Sequence, residues 1–400
     1  MKLKKPNTPR IRFPEFTGKW TTEEIGKYLR LYIERVDAKT KLPVLTSSRR
    51  GLSMQRDYFD DRELMNEGEY GVLPRGYFTY RHMSDDSTFR FNINDLCDRG
   101  VVSKEYPVFV AEGVDPKFLY LSLNYGSEFK RFAIAEKRGG TRTRLYFNRL
   151  TRLALTIPSL PEQQKIADFI STVDDKIVQL TRKKGLLQRY KKGVMQQIFN
   201  QNIRFKDSSG KQFPKWSETP LSRFLIPSPR EIETPSQPYL AIGVRSHFKG
   251  TFQRPDSDPK KIEMDKLFVV RSGDLIVNIT FAWEGAMAIA KKEDDGGLVS
   301  HRFPTYTFNE QITSSKFFQY IYSSARFKHF LKLISPGGAG RNRVLNKKDF
   351  LRLKVLLPSV PEQARIAEFL VSLDSKIDFV DSQLENTKLF KKGLFQQMFV

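Results

Sequence analysis

The 400-residue chain carries 68 Lys and Arg against 45 Asp and Glu, and its net charge of +23 predicts a polyanionic partner, either a nucleic acid or an anionic membrane. Its length and an aromatic content of 12% suffice for two or three domains with apolar cores. No transmembrane helix is expected, since the sequence has no run of 18 apolar residues, and no signal peptide is expected, since Met1-Lys-Leu-Lys-Lys-Pro6 lacks an apolar core. The single cysteine, Cys97, cannot form an internal disulfide, so the protein is expected to be cytoplasmic.

Residues 1–157 are predicted to form a first globular domain of mixed helices and strands. Short apolar runs at 71–80, 101–110 and 153–157 are typical of strands. Between the second and third of these runs, apolar residues recur with helical spacing over 116–130.

Residues 158–200 are predicted to form a long helix. Ser159 and Glu162 have the spacing of a capping box, in which a hydroxyl and a carboxylate satisfy free N–H groups of the first turn. Apolar residues then recur at alternating steps of four and three, which is typical of a coiled-coil seam. The seam residues are Ile166, Ile170, Val173, Ile177, Leu180, Leu187, Val194 and Ile198. Such a helix spans roughly 60 Å at about 1.5 Å per residue.

The same pattern returns 200 residues further on, where Pro158-Ser-Leu-Pro-Glu-Gln163 is repeated as Pro358-Ser-Val-Pro-Glu-Gln363. Residues 358–400 are therefore predicted to form a second long helix. A polar linker, 201–213, precedes a second globular domain at 214–357. The strand patterns of that domain cover 267–270, 274–279 and 353–357, and its helical pattern covers 314–333.

The chain is thus predicted to be a tandem duplication of the α+β class. Each half would contain a mixed domain with a curved, largely antiparallel sheet, followed by a long helix. If a local two-fold axis relates the repeats, the two helices run antiparallel as a coiled coil between the two domains. The sequence leaves open whether Lys191, Lys192, Lys391 and Lys392 face nucleic acid, a partner subunit or solvent.

Candidate contacts to nucleic acid are side chains that read base edges or bind phosphates. Two glycine-rich loops with arginines, 138–142 and 337–341, are preferred because they recur in otherwise diverged halves and because glycine lets a backbone approach the sugar-phosphate chain. The candidates in the first domain are Arg49, Arg50, Gln55, Arg56, Arg75, Tyr80, Arg81, His82, Arg142 and Arg144. Those in the second domain are Arg245, His247, Lys249, Asn278, Thr280, His301, Arg302, Arg341, Asn342 and Arg343.

Motifs for catalysis are not found in the sequence. Gly337-Gly-Ala-Gly340 is not followed by the Gly-Lys-Ser/Thr of a P-loop, and the four histidines have no metal-ligand spacing. Asn-Pro-Pro-Tyr, with which an adenine methyltransferase holds its flipped base, is also missing. A nucleic-acid-binding protein is therefore favoured, and a self-contained DNA enzyme, a coiled-coil nucleic-acid-binding adaptor and an RNA-binding protein remain as alternatives.

Several of these motifs together resemble the specificity subunits of type I restriction-modification systems. They are Arg12-Phe-Pro-Glu-Phe16 with Trp20, the doubled Pro-Glu-Gln helix start followed by Ile166-Ala167 and Ile366-Ala367, and the Gly-Gly and Arg loop that precedes each long helix. The resemblance covers nearly the whole chain, and the doubled helix start is its most specific part.

This resemblance implies that each globular domain is a target-recognition domain for one half of an interrupted double-stranded DNA sequence. The helices would set the gap between the half-sites and dock two modification subunits, which carry the S-adenosylmethionine site and methylate adenine. Two restriction subunits, with motor and nuclease activities, would complete the complex. The chain itself is expected to be non-catalytic, without a cofactor, metal or membrane partner of its own.

Overall fold

The computed structural model describes residues 9–59, 68–137, 142–337 and 343–399. These residues divide into two units. Unit 1 comprises the described residues up to Lys183 together with those from Val380 onward, and unit 2 runs from Lys184 to Phe379. The dividing points lie inside the two long helices, so the units differ from a linear division of the chain into domains and helices.

Unit 1 is built mainly from short strands. Its strands are β1 (Thr21–Glu24), β2 (Leu29–Leu31), β3 (Arg35–Asp37), β4 (Leu45–Ser48), β5 (Gly51–Met54), β6 (Glu69–Pro74), β7 (Phe78–Tyr80), β8 (Met83–Ser84), β9 (Phe91–Ile93), β10 (Arg99–Ser103), β11 (Val108–Ala111), β12 (Thr143–Arg144) and β13 (Ala154–Ile157). Its helices are α1 (Gln55–Tyr58), α2 (Pro116–Tyr125), α3 (Ser127–Ala135) and α4 (Phe147–Leu150), followed by the first part of the long helix α5 (Leu160–Phe199).

The strands of unit 1 form several small sheets, and the prediction of one curved sheet is wrong in this respect. The larger sheets have the orders β2-β11-β7-β9 and β10-β6-β3, and the two-stranded ones are β1-β13, β4-β5 and β8-β12. All of these strand pairings are antiparallel. The expected long strands are interrupted by tight turns, one of which places Gly76 at a φ of 81°, a conformation that favours glycine.

The core of unit 1 is aromatic. Phe78, Tyr80, Phe91, Phe109 and Phe118 are almost completely buried there. The long helices complete this core with apolar side chains from the first turns of α5 and from the far end of the second long helix, α9 (Val360–Met398), and the following Phe399 also joins it. The helix residues are Ile166, Ile170, Val173, Leu394 and Met398.

The helix predicted over 116–130 is two helices. Asp115 caps α2 by accepting a hydrogen bond from the N–H of Phe118 at 2.8 Å, and Pro116 occupies the first helical position. Gly126 then ends α2 in an extended conformation. A Cβ atom on Gly126 would lie 2.4 Å from the carbonyl oxygen of Ser122, so only glycine permits the chain to turn here into α3.

Unit 2 repeats the mixed architecture. Its strands are β14 (Ser217–Pro220), β15 (Leu225–Pro227), β16 (Glu231–Glu233), β17 (Tyr239–Val244), β18 (Thr251–Ser257), β19 (Lys266–Val269), β20 (Leu275–Val277), β21 (Met287–Ile289), β22 (Leu298–Val299), β23 (Thr305–Phe308) and β24 (Lys354–Leu357). Its sheets have the orders β14-β24, β15-β23-β20-β21 and β16-β19-β22-β17-β18. The last of these contains a parallel pairing, at Ala241 and Leu298.

The helices of unit 2 pack on an aromatic core of their own. They are α6 (Ser315–Tyr322), α7 (Ala325–Leu333) and α8 (Lys347–Arg352), with the second part of α5 and the first part of α9. The predicted helix 314–333 is divided because Ser324 caps α7, accepting from the N–H of Phe327 at 3.2 Å. Phe317 and Phe318 of α6 are fully buried beside Ile366 and Leu370 of α9.

Both long helices begin where the repeat predicts, at Leu160 and Val360. The predicted capping boxes do not account for these starts. Glu162 instead accepts hydrogen bonds from Arg12 Nε at 2.6 Å and from Trp20 Nε1 at 3.2 Å. In unit 2 the hydroxyl of Ser359 is buried without a hydrogen-bond partner. The carboxylate is thus used for a distant contact, and not for the first turn of its own helix.

The corresponding carboxylate of unit 2 makes the same contacts. Glu362 accepts from Arg204 Nη2 at 2.6 Å and from Trp216 Nε1 at 3.2 Å. The phenylalanine that follows each arginine also packs in the same way. The ring centres of Phe13 and Phe169 are 5.7 Å apart, and those of Phe205 and Phe369 are 5.8 Å apart. The segment predicted as a linker therefore supplies Arg204 and Phe205 to unit 2.

The glutamine of each Pro-Glu-Gln motif ties the helix start to a neighbouring loop. Gln163 accepts from the backbone N–H of Asp115 at 2.8 Å and donates to the carbonyl of Pro158 at 2.9 Å. Gln363 accepts from the hydroxyl of Thr313 at 2.7 Å and donates to Pro358 at 3.0 Å. The motif recurs because its glutamine joins three elements in both units: the start of the long helix, the end of the preceding strand and a neighbouring loop.

Two lysines of the long helices have intramolecular partners. Lys391 of α9 pairs with Asp174 of α5 inside unit 1. Lys191 of α5 pairs with Asp374 of α9 inside unit 2, where the hydroxyl of Tyr320 also donates to Asp374 at 2.8 Å. Each unit therefore contains the first part of one long helix beside the last part of the other, as expected for an antiparallel pair. None of the described helices combines the length and apolarity needed to span a bilayer.

Candidate nucleic-acid interface

The candidate arginines of unit 1 gather around the loop that follows β8. Because β12 pairs with β8, Arg142 lies beside this loop, and its Nε donates to Asp85 Oδ1 at 2.9 Å. Arg49, in the turn between β4 and β5, reaches the same loop and donates to Asp86 Oδ1 at 2.7 Å. Thr143 and Leu145 point inward, so the intervening Arg144 is exposed.

The Asp86 carboxylate of this loop is ionised at neutral pH and holds Arg49 in place. The Ser84 hydroxyl and the Thr88 N–H, together with Arg49, lower the pKa of Asp86 to about 2. The side chains of Arg49 and Arg142 nevertheless remain 61% and 57% exposed. Exposed ion pairs contribute little to stability, so these arginines can exchange a carboxylate for a phosphate at low cost.

The remaining exposed candidates of unit 1 are less concentrated. Arg50 is exposed in the turn between β4 and β5, and Arg81 is exposed after β7. Arg56 lies beside Asp57 at the start of α1, where Gln55 is half-buried. Arg75 is anchored by Asp98 at 3.0 Å and by the carbonyl of Asp95 at 2.8 Å. The four arginines among these residues are exposed.

Two candidates of unit 1 belong to the core instead of the surface. Tyr80 is completely buried, and its hydroxyl donates to the carbonyl of Leu145 at 3.0 Å. His82 is 5% exposed and stacks on Tyr146 with ring centroids 5.7 Å apart. Both predictions are therefore corrected. Tyr80 lies in β7, which is buried on both faces, and His82 is buried beyond the end of that strand against Tyr146; the residue types alone indicate neither.

His82 is expected to make folding pH-dependent. Burial lowers its pKa below the ordinary value of 6.5, and its Nδ1 is buried without a hydrogen-bond partner. The unfolded chain therefore takes up a proton near pH 6.5 that the folded chain resists, so the contribution of His82 to stability is present above pH 6.5 and is lost as the pH falls through the lowered pKa.

The measurement is the denaturant midpoint at about pH 7.5 and about pH 5.5. We expect a His82→Phe variant to lose part of the decrease that the unaltered chain undergoes on acidification. A His301→Phe variant, in which an exposed ring is replaced, should retain the full decrease. Equal pH dependence in the unaltered chain and the His82→Phe variant would contradict the assignment.

In unit 2, one group of candidates lies in the turn between β17 and β18. Arg245 donates to the carbonyl of Thr251 at 2.7 Å, and its guanidinium lies 5.3 Å from the ring centre of Phe252. His247 has a φ of 62° and donates its backbone N–H to Glu284 at 3.0 Å. Lys249 is exposed at the end of the same turn. The turn is held in an uncommon backbone conformation by these hydrogen bonds.

A second group of candidates in unit 2 follows β20 and β22. Arg302 Nη1 donates to the hydroxyl of Thr280 at 3.4 Å, and Asn278 accepts from the N–H of Thr280 at 3.1 Å. Asn278 is 9% exposed, whereas His301 and Arg302 are exposed. The guanidinium of Arg343 lies 5.2 Å from the ring centre of Trp283.

The preferred glycine-rich loops are only partly described. Of the first loop, Arg142 is described, and of the second, Gly337 with the following Arg343. Arg341 and Asn342 lie outside the described residues, as do 138–141 and 338–340. Arg343 Nε donates to the carbonyl of Gly337 at 2.9 Å, so the two ends of the second loop are joined.

Sequence reasoning missed three residues of unit 2 that accompany the candidates. Lys328 Nζ lies 3.2 Å from His247 Nδ1. The indole ring of Trp283 lies under the guanidinium of Arg343, and the guanidinium of Arg254 lies 5.1 Å from the ring centre of Phe252. Arginine over an aromatic ring is a recurrent surface for nucleic-acid bases. These three residues could have been found in the sequence, because aromatic and basic residues alternate in the diverged part of the second half.

Across the parts of the chain that the structure describes, no group of three His, Cys, Asp or Glu side chains is placed to hold a metal ion.

Comparison with known proteins agrees with the repeated architecture. The family model described as "Type I restriction modification DNA specificity domain" matches residues 72–188 and 230–387 of the chain. A Methanocaldococcus jannaschii protein assigned as the specificity subunit of the type I restriction enzyme MjaX is 23% identical over 371 residues, which cover 83% of this chain and 84% of that protein.

Two further similarities are shorter in sequence or concern the fold alone. The specificity subunit of the type I restriction enzyme HindI from Haemophilus influenzae is 42% identical over 93 residues, 22% of this chain and 20% of that subunit. The crystal structure of the S subunit of a type I restriction-modification system from M. genitalium superposes with a TM-score of 0.56 at 13% identity, covering 98% of this chain and 99% of that one.

Proposed function

Because the chain belongs to the family of type I restriction-modification DNA specificity subunits, we propose that each of its two units reads one half of a bipartite double-stranded DNA target. The chain supplies recognition and no chemistry of its own. Adenine methylation takes place on the modification subunits, which bind S-adenosylmethionine. The proposed location of this complex is the cytoplasm, without a membrane partner.

A single observation carries this proposal. The two units share the same buried contacts: Glu162 and Glu362 each accept hydrogen bonds from an arginine and a tryptophan, and the adjacent glutamine bonds to a neighbouring loop. The exposed arginines, in contrast, differ between the units. A common scaffold with different surfaces suits two readers of different base sequences. Arginine fits both tasks of such a surface, since it forks onto guanine edges and onto phosphates.

We further propose that the long helices set the spacer and dock two modification subunits. Along α9, Val371 and Leu389 are both exposed and are separated by 18 residues, five turns at about 3.6 residues per turn. The buried residues of the same helix, such as Leu373 and Val380, lie on the opposite side. Large apolar side chains that stay exposed behind a buried seam are suited to packing against helices of another protein.

Large apolar residues are also exposed on α5, at Val178, Leu186 and Tyr190. Val178 of α5 and Phe379 and Leu389 of α9 are each about 65% exposed. Exposed apolar residues on both helices are consistent with two copies of the docked subunit. In the restricting complex, two restriction subunits join this assembly.

The DNA-reading role predicts a defined salt response. Replacing Arg142 with alanine is expected to reduce the slope of log binding constant against log salt concentration by about 1, because one phosphate contact and its released counterion are lost. The measurement is a fluorescence-anisotropy titration of a target duplex at several salt concentrations. Arg131→Ala removes an exposed arginine of the same unit that bonds Ser127, and it should leave the slope unchanged.

The same titration tests the proposal as a whole. Duplex RNA should compete far less well than duplex DNA of the target sequence at physiological salt. Equal competition by RNA would favour a general nucleic-acid adaptor. Methyl transfer or cleavage by the purified chain alone would contradict the non-catalytic role.

A further inference from the structure

A cleft opens on the five-stranded sheet of unit 2. Its volume is about 360 Å³, near the lower end of the roughly 300 to 1,000 Å³ typical of ligand pockets. The floor is formed by residues 241–244 of β17, and the walls are formed by aromatic rings of β17, β18 and two loops. The wall residues are Tyr239, Phe252, Phe281 and Phe303.

The floor of the cleft uses side chains from both faces of β17. Ile242 and Val244 line it and also pack with Val270 and Ile276 in a buried apolar cluster. Ala241 and Gly243 belong to the other face, because successive residues of a strand point to opposite sides. At these two positions, small residues leave space that large side chains would fill.

Phe252 is placed over this floor by its cross-strand partner. It pairs with Gly243 in the register of β17 and β18. A Cβ atom on Gly243 would lie 2.2 Å from Phe252 Cζ, so the ring lies against the glycine backbone and would be displaced by any side chain there.

Positive charge surrounds the opening. Arg254 lines the cleft, and both Arg254 and Arg245 lie within about 5.3 Å of the ring centre of Phe252. Arg302 is exposed between the lining residues Ser300 and Phe303. Asn278 adds a side-chain amide to the lining. A ligand that is planar and apolar on its faces, polar at its edge and attached to phosphates would match this arrangement.

We propose that this cleft receives one nucleobase that is displaced from the stack of the bound DNA duplex. The base stacks on Phe252, and the arginines bind the phosphates on either side of it. Aromatic rings beside arginines hold unstacked bases in this way without requiring one particular base. This inference rests on the proposed DNA-reading function and specifies how unit 2 engages its half-site.

The test is a thermodynamic cycle between the protein and the DNA. The target sequence is first obtained by methylome sequencing after co-expression with a modification subunit. Each nucleotide of the half-site read by unit 2 is then replaced in turn by an abasic nucleotide. Binding of the full chain to each duplex is measured for the unaltered protein and for Phe252→Leu.

Phe252→Leu is expected to weaken binding of the intact duplex by roughly 5- to 100-fold, the range that loss of one base-aromatic stack produces. On one abasic duplex, the one that lacks the displaced base, the same substitution should have no effect. Phe330→Leu replaces another partly exposed ring beside an arginine, Arg326, and should not weaken binding of any duplex. Gly243→Ala, which displaces the Phe252 ring, should reproduce the pattern of Phe252→Leu.

Three outcomes would overturn the inference. The first is that Phe252→Leu reduces the affinity for every abasic duplex equally while sequence-specific binding is kept; this outcome would not affect the proposed function. The second is unchanged DNA binding with weakened binding of the modification subunit, which would assign the cleft to a protein side chain. The third is a chain that binds no duplex specifically, which would remove the proposed function as well.

Discussion

Replacing Glu162 with alanine is expected to lower the free energy of unfolding by about 3 to 5 kcal/mol, the cost of leaving a buried charge without its partner. The Glu162 side chain is 1% exposed and accepts two hydrogen bonds from Arg12, at 2.6 and 2.7 Å, and one from Trp20. Alanine at this position would leave the guanidinium and the indole N–H facing an apolar core.

Chemical denaturation measured by circular dichroism provides the test. Glu385→Ala is a matched control, since it removes another glutamate of a long helix, one that is 60% exposed and paired with Lys388 at 2.8 Å. The control should cost less than about 1 kcal/mol, as is usual for a surface ion pair. A similar cost for both substitutions would mean that the buried contact has no special role.

The second large effect concerns the length of the long helices. Inserting one heptad into each helix, between Lys183 and Lys184 and between Phe379 and Val380, is expected to lengthen the preferred spacer between the half-sites by about three base pairs. Seven residues add about 10 Å at about 1.5 Å per residue, and a base pair of duplex DNA rises about 3.4 Å. A heptad also keeps the buried stripe on nearly the same side, because it adds almost two whole turns.

Methylome sequencing with a modification subunit measures the spacer directly. As a control, seven residues inserted into the exposed turn at 207–210 should leave the spacer unchanged, because that turn lies outside both helices. Methylation that keeps the original spacer after both helices are extended would exclude the helices as the determinant of spacing.

The parts of the fold that follow local rules could be predicted from the sequence. Leu160 and Val360 begin helices because proline and polar residues precede a periodic apolar pattern, and the buried seam residues follow from that period. The duplication was visible because the identical motifs lie 200 residues apart. The α+β class and the family resemblance are confirmed on this basis.

Contacts between distant parts of the chain were not predictable in the same way. The partner of Glu162 is 150 residues away, so local spacing suggested a capping box instead. In the first half, Arg12, Phe13 and Pro14 are consecutive. In the second half, Arg204-Phe205 and Phe213-Pro214 are separated by additional residues, so the sequence does not reveal that Arg204 is equivalent to Arg12. Only the contacts with Glu362 and Phe369 identify it.

The candidate interface was predictable by residue type but not by exposure. Arg142 and Arg144 are exposed because they alternate with buried residues of a short strand, whereas Tyr80 ends a strand that is buried on both faces. Which arginines bind phosphates and which read bases stays a prediction. The cleft in unit 2 could not be inferred, because it arises from the pairing of Gly243 with a phenylalanine on the next strand.

The sharing of α5 and α9 between the units also constrains how the protein is made. The core of unit 1 is completed by Leu394, Met398 and Phe399, which are synthesised more than 200 residues after Val173 of the same core. At about 5 to 20 residues per second, roughly 10 to 40 s pass on the ribosome before that core can close. Until then, the apolar residues of unit 1 that Leu394, Met398 and Phe399 cover in the finished protein have no such cover on the nascent chain.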